Sequence, residues 1–189
     1  PCTDQRNRNA PMVNSLIVRS WQDGDLEDIR RITWATWVAT YASFVPEADL
    51  RAYFDKAYTL DELAMLLVSP DFRGLIVEEH GAPIGYAKVV HVPDEQKCYC
   101  SSLYVLPGHQ GKGIGSLLLE HAERHAVAFG VHEIWLGVMV QNVRTMQWYE
   151  RIGFVFVKEE PFTMGATSVP HRIGYRRIGL TTDEHRKTQ

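Results

Sequence analysis

The chain has few cysteines, no long apolar run and no strong excess of either charge, and each shortage removes a class of protein. Its cysteines, Cys2, Cys98 and Cys100, are odd in number. The last two stand at i and i+2 of a strand-like run, on one face and not placed for a local disulfide, so they read as reduced thiols. A Cys-x-Cys pair could give a metal two ligands, but no further Cys/His pair has zinc-site spacing and no metal is expected. No apolar run approaches the ~20 residues that span a bilayer, and the opening stretch PCTDQRNRNAPMVNS lacks the apolar core of a signal peptide. No membrane partner is expected, and a cytoplasmic location is the default. Basic residues number 20 against 23 acidic ones, a net charge of −3. That balance argues against nucleic acid as a partner, while allowing a mildly acidic pocket for a cationic substrate.

What is present suits one globular domain: 189 residues, 45% apolar and 23% charged. The expected organisation is a flexible tail over 1–15, a single domain over 16–180 and a second tail over 181–189. A short strand over Leu16–Arg19 precedes a helix that starts near Asp23 or Asp25 and carries Leu26, Ile29, Trp34, Trp37, Tyr41 and Phe44 as its stripe. Pro46 and Glu47 open a second helix to about Tyr58, and Thr59 or Asp61 starts a third that ends before Pro70. Phe72–Glu79 and Pro83–Val92 read as a hairpin turning at His80 and Gly81. Cys98–Leu106 and His132–Val140 flank a helix running from about Gly113 to Gly130. A strand, helix and strand in that order form a crossover whose strands are parallel. Asn142 caps a short helix ending at Gly153, and Phe154–Lys158 with Arg172–Ile178 forms a last antiparallel pair around a loop punctuated by proline and glycine.

The most informative segment is LYVLPGHQGKGIGSLLLEHA, from Leu103 to Ala122. Gly111, Gly113 and Gly115 let the backbone turn sharply and bring its N–H groups close to a ligand. The helix after them carries roughly +0.5 charge at its N-terminus, and Gln110 and Lys112 add donors, so a pyrophosphate could be held without a metal. The spacing rejects two common nucleotide loops. A triphosphate P-loop needs Gly-Lys-Ser/Thr at its end, but Gly113 is followed by Ile114; a dinucleotide fingerprint needs a third glycine where Ser116 stands.

The pattern Gln110, Gly113, Gly115 resembles the acyl-CoA loop of the GNAT N-acetyltransferase superfamily, Gln/Arg-x-x-Gly-x-Gly/Ala. Leu103, Tyr104, Val105 and Pro107 before it resemble that family's fourth strand, and NVRTMQWYERIGF, Asn142 to Phe154, resembles its second signature. The resemblance spans about Leu16 to Leu180. It implies an α/β (α+β) fold with a mixed, mostly antiparallel sheet, a central parallel strand pair and helices on both faces. It also implies acetyl-CoA as co-substrate, held by Leu103, Tyr104, Val105, Gln110, Gly111, Lys112, Gly113, Ile114, Gly115, Ser116, Asn142 and Tyr149. Asn142 and Tyr149 lie about two helical turns apart, on one face. Read without the resemblance, Asn142 is a cap and Tyr149 a core residue.

Acetyl transfer from a thioester to an amine has three needs. The amine must lose a proton, the carbonyl oxygen must be stabilised as it becomes negative, and the thiolate must leave. The resemblance assigns the oxyanion to a backbone N–H near Tyr104 and the leaving thiolate to Tyr149, the two catalytic candidates. Many family members carry a glutamate base on the fourth strand; this chain has Ser101 and Ser102 there. Glu78, His91 and Asp94 are unranked alternatives. His121 and His125 have a spacing that can bind zinc, but no third ligand accompanies them; His109 beside the loop reads as solvated.

The segment between the first strand and the hairpin forms the acceptor wall in this superfamily, which implies Trp37 and Tyr41 as substrate contacts, although their spacing alone reads as core. Pro46 to Leu67, and Glu133 to Phe154, are more loosely similar to Pai-type spermine/spermidine acetyltransferases. A polyamine acceptor needs carboxylates, and Glu47, Asp49, Asp55 and Asp61 are available, although acidic residues also start helices. The expected partner is a small-molecule amine. A protein N-terminus or lysine, a non-catalytic acyl-CoA-binding module and a nucleotide-binding protein stay open as alternatives, and so does a homodimer.

Overall fold

The structure, a computed structural model, describes residues 16–179. The two expected tails, Cys2 and Leu180 lie outside them. The elements run β1 (Leu16–Ser20), α1 (Leu26–Tyr41), α2 (Glu47–Ala57), α3 (Leu60–Leu67), β2 (Phe72–Glu79), β3 (Ala82–Val92), β4 (Lys97–Val105), α4 (Ile114–Ala128), β5 (Glu133–Met139), α5 (Val143–Arg151), β6 (Val155–Met164) and β7 (Thr167–Arg177).

Local chemistry sets the boundaries. The Thr59 hydroxyl accepts the Glu62 N–H at 3.1 Å and opens α3. His80 and Gly81 both take positive φ and close the β2–β3 hairpin. Among the described residues, no helix is long and apolar enough to cross a membrane.

The seven strands form one sheet in the order β1-β2-β3-β4-β5-β7-β6, antiparallel except for β4 with β5. Alternation along the strands divides the core between the two faces. Val77 and Ala87 pack with Leu118, Leu119 and Tyr149 under α4 and α5, whereas Ile76 and Tyr86 pack with Ile29, Ile32, Leu50 and Leu63 under α1 to α3. Helices therefore cover both faces, as the resemblance implies.

The last hairpin corrects the sequence reading. β6 and β7 are ten and eleven residues long, and the segment expected as a loop is paired strand turning at Gly165. Pro161 sits opposite Pro170. Proline punctuates most sequences because it cannot donate to a ladder, but Pro161 is on β6, the sheet's edge, where the missing donor costs little. Pro170 on β7 lies just past the last β5–β7 pair, Met139 with His171.

β4 and β5 pair only at Cys98 with Ile134 and Tyr99 with Trp135. Downstream of these pairs the pairing stops, because β4 bulges: Lys88 faces Ser102 and Val89 faces Cys100, which leaves Ser101 between them unpaired. β5 continues along β7 to Met139 and His171. A wedge opens between two strands that start as neighbours.

Candidate active site

The wedge is the floor of a cleft of about 1060 Å³. β4 supplies Leu103, Tyr104 and Val105; the loop and first turn of α4 supply Gln110, Gly111, Gly113, Gly115 and Ser116; α5 supplies Asn142 and Tyr149; α1 supplies Trp37 and Tyr41. Two expected ligands fall outside this lining. Lys112 is exposed and off the cleft. Ile114 is 2% exposed, its side chain in the core beneath α4, which leaves only its backbone for a ligand.

The loop is built as its glycines require. Gly111 and Gly113 have φ of 78° and 82°, a region where a Cβ costs about 1–2 kcal/mol. Gly113 is the residue before the first turn of α4, so the free N–H groups of that turn face the mouth of the wedge. Gln110 donates from Nε2 to the Val105 carbonyl at 3.0 Å, which ties the loop to the end of β4.

A backbone bond at the end of β4 fixes which of its amides are free. Leu106 donates to the Ile84 carbonyl, and bonded pairs alternate along an antiparallel ladder, so Tyr104 opposite Tyr86 turns its N–H toward β3. The amides directed into the wedge are those of Leu103 and Val105. A backbone donor near Tyr104 is therefore to be sought at these two neighbours, since the Tyr104 N–H itself is turned to β3.

Tyr149 is buried, and burial above all holds its hydroxyl well above the usual tyrosine value. It is protonated at neutral pH. Asn142 precedes α5 but makes no side-chain capping bond, so its amide is available to a ligand. Trp37 and Tyr41 stand in an aromatic wall with Tyr53, Tyr58 and Phe162. Within that wall Thr36 Oγ1 and Trp37 Nε1 are buried without a hydrogen-bond partner among the described residues. Burial pushes the Tyr41 hydroxyl up to about 12.

None of the three suggested bases lines the cleft. Glu78 is ion-paired with Arg19, His91 Nδ1 lies 2.9 Å from Asp71, and Asp94 is exposed. His109 faces Glu79, and His121 and His125 stay on the flank of α4. Ser102, at one of the two expected glutamate positions, is buried and bonded to Tyr58 Oη at 3.2 Å.

Several lining residues escaped the sequence reading. Arg144 and Arg151 lie within the second signature, two turns apart, and their spacing could have pointed to them. Lys88 had no signal beyond its place in a strand. His171 was hidden in the segment taken for a loop. Its ring lies on Gly137, where any Cβ would overlap it. Burial, opposed by a backbone bond at Gly137 and the charge of Glu160, holds His171 below the ordinary histidine value, so it is neutral at pH 7.

Among the described residues, the lining contains no aspartate or glutamate; its charged side chains are Lys88, Arg144 and Arg151. Glu47, Asp55 and Asp61 are exposed elsewhere. Asp49 is occupied in structure, accepting from Ala166 N at 2.9 Å and Thr167 Oγ1 at 2.6 Å. That latch holds the β6–β7 turn against α2 and brings Phe162 to Tyr53.

Comparison with known proteins agrees with this geometry. The sequence model of the Acetyltransferase (GNAT) family matches residues 26–154. An uncharacterized N-acetyltransferase of Mycobacterium tuberculosis is 25% identical over 142 residues, 75% of this chain and 90% of that protein. Streptothricin acetyltransferase of Streptomyces lavendulae is 38% identical over 72 residues, 38% of each chain. The crystal structure of the PaiA N-acetyltransferase of Thermoplasma acidophilum in complex with coenzyme A superposes with a TM-score of 0.74 at 24% identity, over 86% of this chain and 99% of that one.

Proposed function

The chain belongs to the Acetyltransferase (GNAT) family and is an N-acetyltransferase, and from that premise we propose that it moves the acetyl group of acetyl-CoA to the primary amine of a small molecule. The observation that carries this reading is the wedge between β4 and β5 with the glycine loop at its mouth. A thioester entering it would lie along the free β4 amides, its phosphates at the loop and the first turn of α4. Arg144 and Arg151 add charge for those phosphates.

The amine nitrogen attacks the thioester carbonyl. The C–N bond forms, the C–S bond breaks, one amine proton leaves, and the thiolate takes a proton to become free CoA. Only about one alkylamine in a thousand is neutral at pH 7, a cost of roughly 4 kcal/mol. His171, neutral and lining the cleft, is assigned that proton, directly or through water. Leu103 or Val105 N–H faces the developing oxyanion, and one such donor is worth roughly 3 kcal/mol. Tyr149 donates to the leaving sulfur.

Attack is direct. The thiol in the lining, Cys100, is pushed up to about 12 by burial above all, so it offers no thiolate for an acyl-enzyme. Initial rates with both substrates varied should give intersecting reciprocal plots. Parallel lines would replace direct attack with a covalent intermediate.

A polyamine, the acceptor implied by the Pai-type similarity, would bring more than one positive charge into this lining. The carboxylates that would receive it lie elsewhere, so the charge of the cleft favours another amine.

A further inference from the structure

On the acceptor side of the cleft a lysine stands without an ion-pair partner among the described residues. Lys88 Nζ lies 4.5 Å above the centre of the Tyr58 ring, and none of the ion pairs among the described residues includes it. Tyr58 belongs to the core beneath α1 to α3, whereas α4, whose first turn follows the phosphate loop, packs on the opposite face. The ammonium is therefore on the side of the aromatic wall and away from the phosphates. Two further polar atoms of that wall, Thr36 Oγ1 and Trp37 Nε1, are buried and unpartnered among the described residues. Such atoms cost free energy unless something hydrogen-bonds to them, and both are donors.

Resting on the acetyltransferase reading, we propose that the acceptor is an amino-carboxylate with an apolar body, its carboxylate held by Lys88 and its body lying against Trp37, Tyr41 and Tyr53. A carboxylate answers the unpaired charge of this wall: it accepts from the ammonium and needs no acidic residue in the lining. A molecule bearing only amines brings no charge opposite to that of Lys88. The carboxylate also offsets the positive charge that the attacking amine carries before it loses its proton, so the two charged groups enter the cleft as a neutral pair.

The test compares phenylalanine with phenethylamine, and both with spermidine, by free-thiol release. Phenylalanine should have the highest kcat/KM. In Lys88→Gln its KM should rise about tenfold or more, the loss expected for a charge-assisted contact, while phenethylamine changes by less than about threefold. Lys88→Arg should recover most of the difference. Phenethylamine or spermidine turning over better than phenylalanine, or Lys88→Gln affecting phenylalanine and phenethylamine alike, would overturn the assignment. Calorimetry with N-acetylphenylalanine and N-acetylphenethylamine reads the same contact without turnover. If no amine released thiol, the acetyltransferase reading would fail, yet tighter binding of the carboxylate that is lost in Lys88→Gln would still support the contact. Equal binding of the two would remove it.

Discussion

Tyr58 Oη lies 3.2 Å from Ser102 Oγ, a buried contact that joins the end of α2 to the bulged part of β4. Thr33 and Tyr86 continue it as a chain of hydroxyls across the core. Tyr58→Phe keeps the ring beneath Lys88 but strands the Ser102 hydroxyl. It should lower stability by about 1–3 kcal/mol, the cost of leaving a buried polar group unpaired, read from the urea midpoint. An unchanged midpoint would mean that the pair is incidental.

The His171 ring occupies the space that a side chain on Gly137 would fill. Gly137→Ala must displace either the ring or the strand, at about 1–3 kcal/mol for overpacking. Acetyl transfer should fall while acetyl-CoA binding measured by calorimetry holds. Full activity in a folded Gly137→Ala protein would take the proton-accepting role away from His171.

Tyr149 stays protonated because burial raises its pKa. Tyr149→Phe should leave the CoA dissociation constant nearly unchanged and lower kcat by about ten- to a hundredfold, the worth of one hydrogen bond to a charged leaving group. Undiminished turnover at neutral pH would remove the tyrosine from the mechanism.

His171 and His125 both titrate below the ordinary histidine value, burial being the first cause in each. In the unfolded chain both return to about 6.5. Between the folded values and about 6.5 the unfolded chain binds more protons, so stability falls as the pH drops through that window and is level above it. Urea midpoints from pH 8 to pH 5.5 should show this slope, and His125→Gln combined with His171→Gln should flatten it. A wild-type midpoint that is constant down to pH 5.5 would contradict the neutral burial of these rings.

Much of this was legible in the chain because local rules decided it. Gly111 and Gly113 sit where positive φ is required, Thr59 caps where a cap was expected, and strand alternation through Ile76 and Val77 set the two faces. What the sequence hid was tertiary. Pro161 and Pro170 suggest a loop unless β6 is known to be an edge, and His171 was lost with them. Lys88 becomes a candidate only when β4 bulges and α2 brings Tyr58 beneath it. Which amides near Tyr104 face the wedge is decided by a single ladder bond, Leu106 to Ile84, that no local pattern announces. Ile114 and Lys112 belong to the motif by spacing, but the first turn of α4 points Ile114 into the core and Lys112 is exposed in the loop, off the cleft.

Acetyl transfer by this chain is read most directly as release of free CoA from acetyl-CoA across a panel of small primary amines, with the N-acetylated product identified by mass spectrometry. Thiol release should depend on the amine and be matched one for one by acetylated amine. Acetyl-CoA that binds in the cleft but is never turned over with any amine would contradict it.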